Sequence, residues 1–126
     1  MISTKNVLII SSDPNLNGRL TRVLSEPEYR VFYAGRTDKK LRPIINQIKP
    51  DLIVVDPEIP TLRGIALSLL IRQWSAAPIL MLSAAETQEN EIRALDMHAD
   101  EYLGEPFDVG AVSVRIDSIL TLSHAG

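Results

Sequence analysis

The sequence predicts an α/β fold, a doubly wound five-stranded parallel sheet. Three observations carry that expectation. Short apolar runs alternate five times with apolar residues at helical spacing, as repeated strand–helix units require. Leu52-Ile53-Val54-Val55 is an unbroken apolar run of the kind found in a central parallel strand covered on both faces. The chain has 126 residues, enough for one two-sided sheet, whereas a barrel of eight strand–helix units needs roughly twice that length.

The elements follow in order. Val7-Leu8-Ile9-Ile10 reads as the first strand and ends at Ser11-Ser12-Asp13-Pro14. Asp13 suits a helix N-cap, and Pro14 has the right φ for the first helical position. Leu16, Leu20, Val23 and Leu24 then form a one-sided helix, which Glu26-Pro27 stops. Val31-Phe32-Tyr33-Ala34 is the second strand. Leu41, Ile44, Ile45 and Ile48 mark a second helix with Asp38 as its cap. Pro43 is expected in its first turn, because deeper in a helix proline loses a hydrogen bond and clashes with the preceding turn. After the third strand, Asp56-Pro57-Glu58-Ile59-Pro60 is too rich in proline to continue regular structure. Residues 64–74 are expected to form a third helix and Pro78-Ile79-Leu80-Met81-Leu82 a fourth strand. Residues 87–97 form a fourth helix, Glu101-Tyr102-Leu103 a short fifth strand, and residues 108–122 a last helix with Val109, Val112, Ile116 and Ile119 facing inward. Residues 1–122 thus make one domain, and 123–126 a tail or the start of a linker to an output domain.

Composition narrows the function. At 45% apolar and 23% charged, the chain has the balance of an ordinary globular domain. It has no cysteine, which excludes a disulfide framework, a thiolate nucleophile and any cysteine-based metal site. The net charge is −3 and the basic residues form only short clusters, so direct nucleic-acid binding is not expected. No apolar run approaches the ~18 residues of a membrane span. The first residues also lack the basic and apolar regions of a signal peptide, so the expected location is the cytoplasm, away from membranes.

In an open α/β sheet the working crevice lies beyond the carboxyl ends of the strands, where the strand order reverses. Ser11, Ser12 and Asp13 arrive there after strand one and Asp56 after strand three. Ser83 and Ala84 follow strand four, and Glu105 follows strand five. A carboxylate ending a buried central strand is the most informative of these. Aspartate before proline is also an ordinary turn residue, so position alone leaves Asp56 open between the two roles.

The segments VLIISSDP, PDLIVVDPEIPTLRG, PILMLSA and ADEYLGEPF together resemble a response-regulator receiver domain of bacterial two-component signalling, over about residues 5–122. The resemblance implies a (βα)5 flavodoxin-like fold and a signalling module that is not an enzyme. It implies that Asp56 is the phosphoacceptor, that the Ser83 hydroxyl contacts the phosphoryl group with Ala84 beside it, and that Tyr102 is the switch aromatic. It also implies that the carbonyl of Glu58 ligates Mg²⁺.

Three positions depart from that pattern. The family's acidic pair after strand one is Ser11 and Ser12 here, and its pocket lysine is Glu105. Mg²⁺ is held through carboxylates, water and phosphate oxygens. Asp56 supplies one carboxylate, Asp13 is expected to be occupied as a cap, and Glu58 or Glu105 would have to complete a different site. Phosphoryl transfer depends on positioning and on neutralising charge, and an anion in place of the lysine opposes both. The expected cofactor is therefore none, or weakly held Mg²⁺. Ser11 and Ser12 could instead donate hydrogen bonds to Asp56 and replace part of the lost cation shell.

The leading expectation is a degenerate receiver working by protein–protein contact, with a histidine kinase, an output domain or another regulator as partner. The first alternative is a conventional phosphorelay receiver phosphorylated on Asp56 and controlling a DNA-binding output domain. A small α/β enzyme or flavin carrier is a minor one, because Ser11-Ser12-Asp13-Pro14-Asn15 lacks the glycines that let backbone approach a phosphate. Two faces are candidate interfaces. On the third helix Gly64, Leu67, Ser68, Ile71 and Trp74 should face the sheet, with Ala66, Leu69, Leu70 and Gln73 outward. Arg93, Asp100, Glu101 and Arg115 match charged positions of the family's dimer face, where Val114 and Leu122 could add apolar contact to a homodimer.

Overall fold

The computed structural model describes residues 4–11, 13–24, 28–35, 38–56, 61–62, 65–83, 101–104 and 109–125. Strand β1 (Lys5–Ile10) leads through Asp13 into helix α1 (Pro14–Val23), followed by β2 (Tyr29–Ala34) and α2 (Asp38–Ile48). Next come β3 (Leu52–Val55), the two short strands β4 (Thr61–Leu62) and β5 (Ile65–Ala66), and α3 (Leu67–Trp74). The chain closes with β6 (Ile79–Ser83), β7 (Glu101–Gly104) and α4 (Val109–Ala125). The main sheet has five strands in the order β2-β1-β3-β6-β7, and every pairing is parallel. This is the doubly wound topology expected, with the strand order reversing between β1 and β3.

Alternation along the central strands builds two apolar layers. Leu8, Ile10, Ile53, Val55, Ile79 and Met81 pack with Leu41 and Ile45 of α2 and Leu67 and Ile71 of α3. Val7, Ile9, Leu52, Val54, Leu80 and Leu82 pack on the other face with Leu16 and Leu20 of α1 and Val112, Ile116 and Ile119 of α4. Each central strand, β3 most fully, buries consecutive residues on opposite faces, which is why its sequence is continuously apolar rather than alternating.

Four expectations are corrected. Residues 64–74 do not form one helix. Thr61 pairs with Ala66 and Leu62 with Ile65 in an antiparallel hairpin, and α3 begins only at Leu67. Ladder pairing takes the backbone groups of Ile65 and Ala66 that a helical turn would have used. Pro43 is not in a first turn either, but is the sixth residue of α2. The hydrogen bond it removes is local, whereas the stripe that includes Leu41 and Ile45 is buried on the sheet and holds the helix continuous. Asp38 is the first residue of α2 rather than a cap before it. The last helix continues to Ala125, past the expected end at residue 122. The expected helix over 87–97 lies outside the described residues.

Candidate functional site

Strand register brings the site together. Ile10 of β1 pairs with Val55 of β3, so the residues that follow, Ser11 and Asp56, leave the sheet side by side at the switch point. The backbone continues that pairing for one more bond, Asp56 N–H donating to the Ile10 carbonyl at 3.0 Å, while Ser11 N–H donates to Ala34 at 2.9 Å. Both side chains are buried, Ser11 to 4% and Asp56 to 2% exposure, so neither is an open turn residue.

Inside it the Ser11 hydroxyl donates to Asp56 Oδ2 at 2.7 Å. The backbone N–H of Asp13 donates to the same Ser11 Oγ at 3.1 Å. An amide proton arriving at the oxygen leaves the hydroxyl proton to point at the carboxylate, so the two bonds orient each other. Asp13 itself caps α1: its Oδ1 accepts from Asn15 N–H at 3.0 Å, and Pro14 takes the first helical position. Of the two serines expected to reach Asp56, Ser11 does so. Ser12 lies outside the described residues.

The donors described here do not compose a Mg²⁺ site. Asp56 offers a carboxylate, the neighbouring hydroxyl is already donating to it, and the Asp13 carboxylate accepts from an amide. Among the described residues no three His, Cys, Asp or Glu side chains stand close enough to hold a metal ion. Glu58, Ala84 and Glu105 lie outside the described residues. Ser83 ends β6 opposite Gly104 and Tyr102 sits in β7 opposite Met81, their side chains also being outside the description. What the described pocket does chemically is hold a carboxylate against a neutral hydrogen-bond donor.

One feature of the site escaped the sequence reading, the tie from the Asp13 amide to Ser11. Its signal was present, since a serine whose oxygen accepts from the amide two residues on is a common local turn. Among the interface candidates, Leu67, Ser68 and Ile71 of α3 are buried and Trp74 is half-buried, as expected. Leu69 is 37% exposed and Gln73 exposed, but Leu70 is half-buried, and Ala66 belongs to β5 rather than the helix. Val114 on α4 is 68% exposed, the most open large apolar side chain described, with Arg115 beside it half-buried. Arg93 and Asp100 lie outside the described residues.

Comparison with known proteins agrees with the fold. The sequence profile of the response regulator receiver domain matches residues 7–117. The chain is 37% identical over 111 residues to the KDP operon transcriptional regulatory protein KdpE of Escherichia coli K12, covering 88% of this chain and 49% of that protein. It is 32% identical over 121 residues to the alkaline phosphatase synthesis transcriptional regulatory protein PhoP of Bacillus subtilis 168, covering 95% of this chain and 50% of that protein. The chain therefore spans about half the length of these relatives. Among solved structures, the receiver domain of the Francisella response regulator 1452 superposes with a TM-score of 0.80 at 28% identity, over 94% of this chain and 98% of that one.

Proposed function

We propose, from the premise that this chain belongs to the response regulator receiver domain family, that it is a receiver whose pocket is held in one state and which signals by protein contact with little Mg²⁺-dependent phosphorylation. Receivers of two-component systems are signalling modules, generally without an enzymatic activity of their own. Family membership favours that role over the small-enzyme and flavin-carrier alternatives.

The single observation behind the fixed-state reading is the 2.7 Å hydrogen bond from Ser11 to Asp56. The family resemblance puts an acidic, metal-holding side chain after the first strand. A hydroxyl there donates to the carboxylate and, being neutral, brings no second negative charge of its own to draw Mg²⁺ in. Glu105, where the resemblance implies a lysine, supports the same reading, since phosphoryl transfer needs positive charge around the transferred group. Pro57 adds to it by fixing φ directly after Asp56.

On this reading the signalling domain includes the whole last helix to Ala125, and an output domain of the longer protein would follow it. The partner is that output domain, a histidine kinase or another regulator, and control of transcription is the role of the longer protein. Two faces are proposed to carry the contact: Leu69 with Leu70 on α3, and the α4 face bearing Val114 and Arg115, with Arg93 and Asp100, where two copies would pair weakly.

The backbone amide NMR spectrum with and without Mg²⁺ and beryllofluoride, a mimic of phosphorylated aspartate, tests the pocket. The expected result is no saturable shift near Asp56, Ser83 or Tyr102 at millimolar Mg²⁺. Saturable shifts there would replace this reading with a conventional phosphorelay receiver using Asp56.

A further inference from the structure

Asn17-Gly18 is the one Asn-Gly pair in the chain, and it lies inside α1 rather than in a turn. In such a pair the following backbone nitrogen reaches the asparagine side chain most readily, because glycine has no Cβ to hinder the approach and the widest choice of backbone angles. A Cβ built at Gly18 meets nothing within 4 Å, so no packing contact requires glycine there.

The helix holds the backbone and the side chain of Asn17 differently. The Asn17 N–H donates to the Asp13 carbonyl at 3.0 Å. Its own carbonyl accepts from the Thr21 hydroxyl at 2.7 Å and from the Tyr33 hydroxyl at 3.3 Å. The side-chain oxygen, by contrast, is buried with no hydrogen-bond donor among the described residues. A buried acceptor without a donor costs free energy in the closed helix and none once it meets water. What protects the amide is the helix itself. An α-helical N–H at position 18 points along the axis toward the Pro14 carbonyl, and helical ψ at position 17 keeps that nitrogen away from Cγ.

We propose that Asn17 is a deamidation site and that local opening of α1 sets its rate. When α1 opens, the Gly18 nitrogen attacks Asn17 Cγ and gives up its proton, the Cγ–Nδ2 bond breaks, and ammonia leaves as a succinimide ring closes. Water then opens the ring at one of its two carbonyls and gives aspartate or isoaspartate, with no oxidant or cofactor consumed. Isoaspartate routes the main chain through Cγ and adds one backbone carbon between residues 17 and 18. The 13-atom hydrogen-bonded rings of the helix cannot continue across that extra atom. Leu16 and Leu20 are buried against the sheet on either side of it, and they then no longer dock from one regular helix. The modification is a one-way change that loosens α1 from the sheet, and it needs no chemistry at Asp56.

The test incubates the 126-residue chain at neutral pH, folded and in urea, and follows each asparagine by peptide mass spectrometry. In urea, Asn17 is expected to deamidate faster than Asn6, Asn15, Asn46 and Asn90. In the folded chain its rate should be at least about tenfold lower, as a site that reacts only through local opening requires. Thr21→Val with Tyr33→Phe, both at exposed positions, removes the side-chain donors to the Asn17 carbonyl. That variant should deamidate about two- to tenfold faster when folded, the factor that two lost hydrogen bonds of ordinary strength allow, and at the parent rate in urea. The isoaspartate form, separated by ion exchange and identified by enzymatic methylation of its carboxylate, should melt below the parent and lose hydrogen-exchange protection across α1. Four outcomes overturn the proposal: Asn17 no faster than the other asparagines in urea, equal folded and unfolded rates, no acceleration in the folded double variant, or an isoaspartate form as stable as the parent.

Discussion

Ser11 shows what a buried carboxylate takes from a neighbouring hydroxyl. Asp56 is 2% exposed and takes a hydrogen bond from Ser11. Removing a partner from a buried polar group costs about 1–3 kcal/mol, more when the group is charged. Ser11→Ala is therefore expected to lower unfolding stability by about 1–3 kcal/mol in a urea titration. A midpoint equal to the parent's would mean that the bond contributes nothing. Gly18, in the middle of α1, offers the opposite case. A Cβ built there meets nothing within 4 Å, so no neighbour requires the glycine. Gly18→Ala should raise stability by about 0.5–1 kcal/mol, because alanine loses less backbone freedom on entering a helix. Thermal unfolding by circular dichroism reads this directly, and a lowered midpoint would show that a side chain does not fit.

Helices α3 and α2 show where tertiary context overrides local propensity. Periodicity reads residues 64–74 as one helix, yet the hairpin of β4 and β5 takes Ile65 and Ala66. The helix that remains presents Leu69 outward at 37% exposure, while Leu67, Ser68 and Ile71 are buried. Replacing Leu69, the exposed one of the pair, by lysine should leave the fold intact, and replacing Leu69 and Leu70 together should abolish any association carried by this face, with circular dichroism checking that the half-buried Leu70 position tolerates the change. Unchanged sedimentation and unchanged partner capture would remove α3 as an interface. In α2 the proline that local rules send to the first turn sits at the sixth position instead. The chain then leaves that helix through Lys49, whose φ of 52° turns it sharply before Pro50, while its N–H still donates to the Ile45 carbonyl at 2.9 Å. A left-handed residue followed by proline is an effective stop.

At the scale of the whole molecule, the edge of the sheet is tied to α1 by polar contacts that titrate. The Tyr33 hydroxyl bonds with Thr21 Oγ1 and donates to the Asn17 carbonyl at 3.3 Å. Burial raises the Tyr33 pKa above its ordinary value of 10.0. Burial first, and then the negative charges of Asp117 and Glu28, raise that of Tyr29. A raised pKa means that the folded state prefers the neutral phenol. Its contribution is fully present below the unfolded value of 10.0 and is lost as pH rises through the folded value. These tyrosines should accordingly give stability no pH dependence near neutrality and lower it above about pH 10. The loss should be smaller in a Tyr29→Phe, Tyr33→Phe double variant, and an identical alkaline limb in that variant would assign the loss to other groups.

The amino-acid sequence by itself determined the order and kind of the main elements, the two-sided burial of the central strands, and the placing of Asp13, Ser11 and Asp56 at strand ends. Each of these follows from the spacing of apolar residues and from turn chemistry over a few neighbours. Only the tertiary structure decided that the Ser11 hydroxyl donates to Asp56, because those residues are 45 apart in the chain and meet through the register of β1 with β3. The same holds for the hairpin before α3 and the proline kept inside α2. Pairing and packing between distant segments outweigh local preference there, and no local spacing records them.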